Sequence, residues 1–431
     1  MSTIIVIQAL GILVTFIFFV VLMMQRKVPT IIALPVMAIL FGLIAGVPIM
    51  SENPESASIA GTILGQGSMR LSTAISGVIF GSIFGQVLNK VGVTKGIIRK
   101  AAETAGDKPM LIALIFFAVG SIVISASSGL GMVILIGTIM IPIMLTTGVS
   151  PYTASLVLLL SNGVGVLFNV SNWAVYIDVL GLPVAEIARY TWISALPLIL
   201  IGVIMIVLSI KFQGTVRKTW TSNNDFSNKN DSHVRTIALI SPVFPVLLVF
   251  IFSMDIVAAI IIGILITLML TTPKRPLQVV SSSFVEGIQE VAGAIALMIG
   301  IGMLLNSVMS AEVSAVLSPF IEMIIPSSML GYILLFTILS PLAIYRGPLN
   351  IFGLGSGIAA LLVSSGLSPL GAMIALRNLS NLQAISDPTN SHNVWVADFI
   401  KIDVNTILKK TIGWMILTVF ISMLIGALII Y

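Results

Sequence analysis

The apolar residues of this chain fall into long blocks separated by short polar connections. Blocks of about 20 residues, each long enough to cross a hydrocarbon core of about 30 Å, recur from end to end. Full crossings are predicted near 4–24, 28–48, 71–89, 151–180 and 191–211, and then near 237–252, 255–272, 284–308, 369–398 and 411–431. Two further apolar segments, 109–147 and 329–365, are too long for one crossing and are interrupted in the middle. The first breaks at Ser125-Ala126-Ser127-Ser128-Gly129 and the second at Tyr345-Arg346-Gly347-Pro348. Each reads as a re-entrant helical hairpin that enters and leaves on one side. Irregular backbone at membrane depth is tolerated only against protein or a water-filled cavity. The fold class that follows is an all-α polytopic membrane protein.

The two halves of the pattern match. Gly148-Val149-Ser150-Pro151 and Gly366-Leu367-Ser368-Pro369 lie 218 positions apart. The same offset of 218 pairs Gly129 with Gly347, Ala154 with Ala372, and Asn169-Val170-Ser171-Asn172 with Asp387-Pro388-Thr389-Asn390. Leu88-Asn89 pairs with Leu305-Asn306 at an offset of 217. The predicted organisation is a first repeat over 1–212, a polar linker over 213–236 and a second repeat over 237–431. The hairpins lie near 109–147 and 329–365, and the broken helices near 151–180 and 369–398. Each half has five crossings, and an odd number forces the second to be inverted relative to the first, the arrangement of secondary transporters.

Composition and charge narrow the class. Of the 431 residues 58% are hydrophobic and 9% charged, against about 25% charged in a soluble domain. Cysteine is absent, which excludes disulfides and thiolate metal sites. With the amino terminus placed outside, seventeen of the 21 Lys and Arg fall in cytoplasmic loops: Arg26 and Lys27, Lys90 to Lys108, Lys211 to Arg235, Lys274 and Arg275, Lys401 to Lys410. Arg70 and Arg189 fall outside, and Arg346 and Arg377 within the membrane. This positive-inside asymmetry accounts for the net charge of +5 without nucleic-acid binding. It predicts a multi-pass protein of the plasma (inner) membrane with a cytoplasmic central linker. The first block has no basic residue before it and no small-residue cleavage site after it, so it reads as a retained helix.

The candidate chemistry lies at the breaks. The first half carries Ser161-Asn162-Gly163 and Asn169-Val170-Ser171-Asn172; the second carries Arg377-Asn378-Leu379-Ser380-Asn381 and the run from Ser386 to Asn393. So many amides and hydroxyls are not accommodated against lipid. Pro388 removes a backbone donor and disfavours helix at Asp387. A broken helix frees carbonyls for a cation, and its half-helix amino termini attract an anion. Expected substrate-binding residues are Ser127, Ser128, Gly129, Asn172, Arg346, Gly347 and Asn390. Expected coupling-ion residues are Ser125, Asn162, Asn169, Asn381, Asp387 and Thr389. Arg346 is a cation at a hairpin tip whose guanidinium suits a carboxylate; Asp387 is an acid within a break that can bind sodium or take a proton. Arg377 is expected near the membrane boundary or on backbone carbonyls, His392 as a hydrogen-bonded structural histidine with a proton carrier as the alternative, Glu286 and Glu290 as a solvated or interfacial helix face with a proton relay as the alternative, and Asp178 as a cap for the outer end of its own crossing. The Gly-x-Gly runs at Gly129 and Gly353 lie in apolar helices with no preceding strand and read as packing positions, not dinucleotide loops. The HExxH, GxSxG and Walker patterns are absent.

With these features the chain resembles the ion transporter superfamily, which includes gluconate-type permeases, citrate–metal and citrate–proton symporters and divalent anion–sodium symporters. Ser171-Asn172 and Thr389-Asn390 are similar to the paired Ser/Thr-Asn signatures of the anion–sodium symporters, and Ser391-His392-Asn393 to a polar run of gluconate permeases. The resemblance implies an elevator, in which hairpins and broken helices move as one body against the other helices. The expected function is symport of a small organic anion, a carboxylate such as citrate, gluconate or a dicarboxylate, driven by sodium or protons. A sodium/proton antiporter without organic substrate is the same-class alternative; a channel and an intramembrane enzyme are the others. Expected partners are the anion, sodium or a proton, the lipid bilayer and a second copy in a homodimer. No cofactor is expected beyond a bound sodium.

Overall fold

The computed structural model describes residues 3–25, 27–51, 56–127, 129–213, 234–323, 325–326, 328–345, 349 and 354–431. Ser128, Arg346 and Gly347, and most of the predicted linker, lie outside the described residues. Every element within them is helical. The first half begins with α1 (Thr3–Met24) and α2 (Thr30–Ala45). A π-helical segment, Ile59–Gln66, then runs into α3 (Gly67–Met69), α4 (Ser72–Lys90) and α5 (Val93–Ala105). Next come the hairpin helices α6 (Pro109–Ala126) and α7 (Leu130–Thr146), the broken pair α8 (Pro151–Phe168) and α9 (Val170–Leu180), and α10 (Val184–Tyr190) with α11 (Trp192–Lys211). The second half opens with a 3-10 segment, Thr236–Val243, leading into α12 (Phe244–Phe252), then α13 (Ile256–Thr271), α14 (Pro276–Val308) and α15 (Ala311–Ile321). It continues with α16 (Met329–Ile338), α17 (Leu354–Ser364), the broken pair α18 (Pro369–Ser386) and α19 (Ser391–Phe399), and α20 (Val404–Ile430). Among the described residues, seven helical stretches are long and apolar enough to cross a membrane. Other predicted crossings are shorter apolar helices such as α2 and α13.

The helices sort into two sets by what they touch. α4 packs along α14, which also packs on α2, while α13 packs on α4. The second set is centred on α8 and α18, which touch each other and are flanked by α6, α11 and α20. α8 is buried along nearly its whole length, whereas α1 turns Ile4, Ile7, Leu10 and Val14 outward, as a lipid-facing helix does. The first hairpin and α9 bridge the sets through α4.

Matched sequences adopt matched backbones. Gly148 and Gly366 are both left-handed, at φ +94° and +113°, a conformation glycine adopts without steric cost. Each ends its hairpin with the same pair of bonds. Gly148 N donates to Leu145 O (3.1 Å) and Val149 N to Met144 O (2.9 Å); Gly366 N donates to Val363 O (3.1 Å) and Leu367 N to Leu362 O (2.9 Å). Pro151 and Pro369 then occupy first-turn positions, where a missing N–H costs nothing.

Three differences from the sequence expectation have local causes. Residues 59–69 are helical, although their glycines dilute the apolar signal. Ser58 Oγ caps the segment by accepting from Gly61 N (3.2 Å), and Gly67 sits so close to α14 that a Cβ there would lie 2.7 Å from Met303 Cα. α14 begins at Pro276, ahead of the predicted 284, because its polar first turns are held from α4: Lys90 Nζ donates to Ser282 Oγ (2.6 Å). Asp178 caps a neighbour and not its own helix, Oδ2 accepting from Ala74 N (2.8 Å) in the first turn of α4.

Candidate functional site

Both broken helices are bent in the same way. Asn169 ends α8 at φ −74°, ψ 107°, and Asp387 ends α18 at φ −71°, ψ 115°. Each side chain then folds over the gap it creates. Asn169 Oδ1 accepts from Ser171 N (3.0 Å); Asp387 Oδ1 accepts from Thr389 N (2.8 Å) and Thr389 Oγ1 (2.7 Å). Further side chains satisfy carbonyls at the breaks. Trp173 Nε1 donates to Leu167 O (2.8 Å), Asn393 Nδ2 to Asp387 O (2.8 Å), and Asn169 Nδ2 to Ile124 O (3.3 Å) at the end of α6. At the hairpin tip Ser127 is extended and Gly129 has φ +129°, which reverses the chain into α7.

Between the two helix sets lies a cavity of about 340 Å³. α4 supplies Val78, Gly81 and Ser82; α14 supplies Glu290, Val291 and Ala294. The opposite wall is Gly129 and Leu130 at the hairpin tip, Asn162 of α8, Asn169, Ser171 and Asn172 at the first break, Ser380 and Gln383 of α18, and Asn390 and His392 at the second. The first residues of α7, α9 and α19 therefore converge on one space, and helix amino termini favour negative charge. Asn390 caps α19 through Oδ1, which accepts from His392 N (3.2 Å) and lies 2.5 Å from His392 Nδ1. An amide oxygen only accepts, so Nδ1 carries a proton there.

Four of the residues that line this cavity each carry a buried polar atom with no hydrogen-bond partner among the described residues: Asn162 Oδ1, Ser171 Oγ, Ser380 Oγ and Glu290 Oε1. Asn162 and Ser171 are only 2% and 4% exposed. Buried polar atoms are almost always paired, and these four unpaired ones belong to residues gathered around one space.

The expected site residues divide. Gly129, Asn162, Asn169, Asn172 and Asn390 line the cavity. Ser127 is buried beside it, against Gly85 of α4. Ser125 donates within α6 to Ile122 O (2.7 Å). Asn381 is buried away from the cavity, and Asp387 is fully buried behind the second break. Thr389 faces a second cleft of about 690 Å³ that also takes in Pro29 and Thr30, and Leu130 lines both spaces.

Two residues depart from expectation. Glu290 is not on a solvated face. It enters the cavity and accepts from Gln86 Nε2 (2.9 Å) and Ser82 Oγ (3.3 Å) of α4. Its neighbour Glu286 does face outward and pairs with Lys90 Nζ (2.7 Å). The two glutamates, one turn apart, differ only in what packs against them, which no helical pattern encodes. Among the described residues Arg377 meets no backbone carbonyl. It is buried, donates to Thr191 Oγ1 (2.6 Å), and lies over the rings of Trp173 (5.5 Å) and Tyr176 (5.1 Å). It joins α18 to α9 by cation–π contact.

This architecture is shared with solved transporters. The chain is similar to the Alcanivorax borkumensis YdaH transporter, with a TM-score of 0.60 and 13% identity over 97% of this chain and 98% of that one. It is also similar to Neisseria gonorrhoeae MtrF, whose structure illuminates a class of antimetabolite efflux pumps, with a TM-score of 0.54 and 10% identity over 93% and 94% of the two chains. At such identities the likeness establishes the fold, and it does not establish membership of the ion transporter superfamily. No family model matches the chain, and no curated protein matches its sequence.

Proposed function

We propose that this chain is a secondary transporter that carries a small organic anion, a carboxylate, through the cavity between α4–α14 and the broken helices, coupled to sodium or a proton. The observation that carries the reading is the convergence of three helix amino termini and of the amides Asn162, Asn169, Asn172 and Asn390 on one cavity between the helix sets. The helix ends favour an anionic ligand, and the amides and hydroxyls of the lining offer donors to it. A volume of about 340 Å³ suits a metabolite-sized molecule. Arg346, which the sequence puts at the tip of the second hairpin, would grip the carboxylate.

The matched elements of the two halves are read as inverted repeats. In that arrangement the hairpins and broken helices slide against α4 and α14 and expose the cavity to each side in turn. Leu130, which lines both the cavity and the second cleft, would be the gate between them.

Counterflow tests this reading. Proteoliposomes preloaded with unlabelled citrate, gluconate or succinate are diluted into the same labelled compound. A carrier gives a transient overshoot. A panel that exchanges no carboxylate defeats the anion assignment, and flux that equilibrates without overshoot defeats alternating access.

A further inference from the structure

Resting on that reading, we infer that Glu290 is the group that couples substrate movement to a proton: it binds a proton when the anion occupies the cavity and releases it when the anion leaves. Three observations carry this. Glu290 is the one carboxylate lining the cavity among the described residues, and its Oε1 has no partner while its Oε2 is held by Gln86 and Ser82. Its position is built into the fold, since the hairpin tip is cut away to admit it. A Cβ on Gly131 would overlap Glu290 Oε1 and lie 3.1 Å from Cδ, and a Cβ on Gly129 would lie 3.3 Å from Oε1. Finally, a polar seam runs from the cavity along α4 and α14 to their charged end. Ser82 and Gln86 meet Glu290, and Lys90 meets Glu286 and Ser282.

The physics follows from like charge. An ionised carboxylate and an anionic substrate in one low-dielectric cavity repel each other. The anion is therefore held well only when Glu290 has taken up a proton, and departure of either weakens the hold on the other. This is a reciprocal coupling. A proton needs only the carboxylate oxygen, whereas sodium needs several oxygens around it. Asp387, by contrast, lies behind the wall, with Oδ1 engaged in the turn that Asn169 makes as an amide in the other half.

The charged and titratable groups around Glu290 are few. Lys90 on α4 is paired with Glu286; His392 on α19 lines the same cavity; Arg70, bound to Asn306 Oδ1 (2.7 Å), and Glu312 lie toward the far end of α14. α2, α17 and the 59–66 segment, which also pack on α14, contribute no ionisable side chain.

The full chain and its Glu290→Gln variant are reconstituted and assayed with labelled citrate, gluconate and succinate. The glutamine keeps an oxygen for Gln86 and Ser82, so the helix pair is preserved. Uptake against a gradient driven by an inward-acid pH difference is expected in the parent and lost in Glu290→Gln, its accumulation ratio falling to about 1, and any counterflow that remains should lose its dependence on pH. In parallel, dicyclohexylcarbodiimide, which attacks protonated carboxyls in apolar surroundings, is mapped by mass spectrometry. It should modify Glu290 in the parent, more so as pH falls. A parent that exchanges none of the three anions refutes the transport reading alone; the carbodiimide arm still decides whether Glu290 takes up a proton. Accumulation that survives in Glu290→Gln, accumulation that follows a sodium gradient at constant pH, loss in Asp387→Asn but not in Glu290→Gln, or a Glu290 unmodified at every pH overturns the proposal.

Discussion

Substituting Gly81 by alanine tests the seam between the two helix sets most directly. Gly77, Gly81 and Gly85 recur at four-residue spacing and lie on one face of α4. Against that face rest the two tips of the opposite wall: Ser171 of the first break meets Gly81, and Ser127 of the hairpin meets Gly85. A Cβ on Gly81 would lie 2.9 Å from Ser171 Cβ and overlap Ser171 Oγ. Non-bonded carbons rest at about 3.5–4.0 Å, so the walls must part by about 0.6–1 Å. Rotating Ser171 relieves the hydroxyl but not Cβ, which the backbone of α9 fixes. Overpacking of this kind costs about 1–3 kcal/mol, enough to shift a two-state equilibrium by about 5- to 150-fold. Gly81→Ala should therefore lower the melting midpoint in detergent and slow counterflow. Ser171→Gly removes both clashing atoms, and the double variant should recover most of the loss in a mutant cycle. Gly81→Ala with parental melting and exchange, or a double variant no better than Gly81→Ala alone, would refute the close approach.

Other consequences follow from the same contacts. Asn390→Ala removes a helix cap worth about 1 kcal/mol and a cavity-lining amide; anion affinity measured by scintillation proximity should fall about 10-fold, the worth of one or two hydrogen bonds. Arg377→Lys keeps the charge but gives up the stacked guanidinium over Trp173 and Tyr176, so thermal unfolding should show a loss of about 1–3 kcal/mol, and unchanged stability would mean the stack contributes nothing. Arg346→Lys should weaken carboxylate binding with folding intact, because the two-pronged hydrogen-bonding geometry is lost. A cysteine replacing Ser51, with the parent free of cysteine, should react with impermeant maleimide from outside the cell; labelling only from inside would reverse the assigned topology.

Much of this was legible in the sequence because a membrane leaves few choices. Backbone groups in hydrocarbon must be satisfied within the segment, so apolar blocks had to be helices, and their interruptions at Ser127–Gly129, Asn169 and Asp387 had to be buried breaks. The matched Gly-x-Ser-Pro motifs announced the same turn twice because a left-handed glycine followed by an N-cap and a proline is specified locally. What tertiary structure decided was the use of side chains that local pattern treats alike. Glu286 and Glu290 share one helical face, yet one pairs with Lys90 while the other is drawn into the cavity by Gln86 and Ser82 of a helix some 200 positions away in the chain. Asp387, the acid that the break made conspicuous, accepts through Oδ1 from Thr389 within that break. Arg377 found the aromatic rings of Trp173 and Tyr176 and not backbone carbonyls. For Glu290 and Arg377 the deciding partner lies on another helix, and helical periodicity determines which side a residue takes on its own helix but not what waits there.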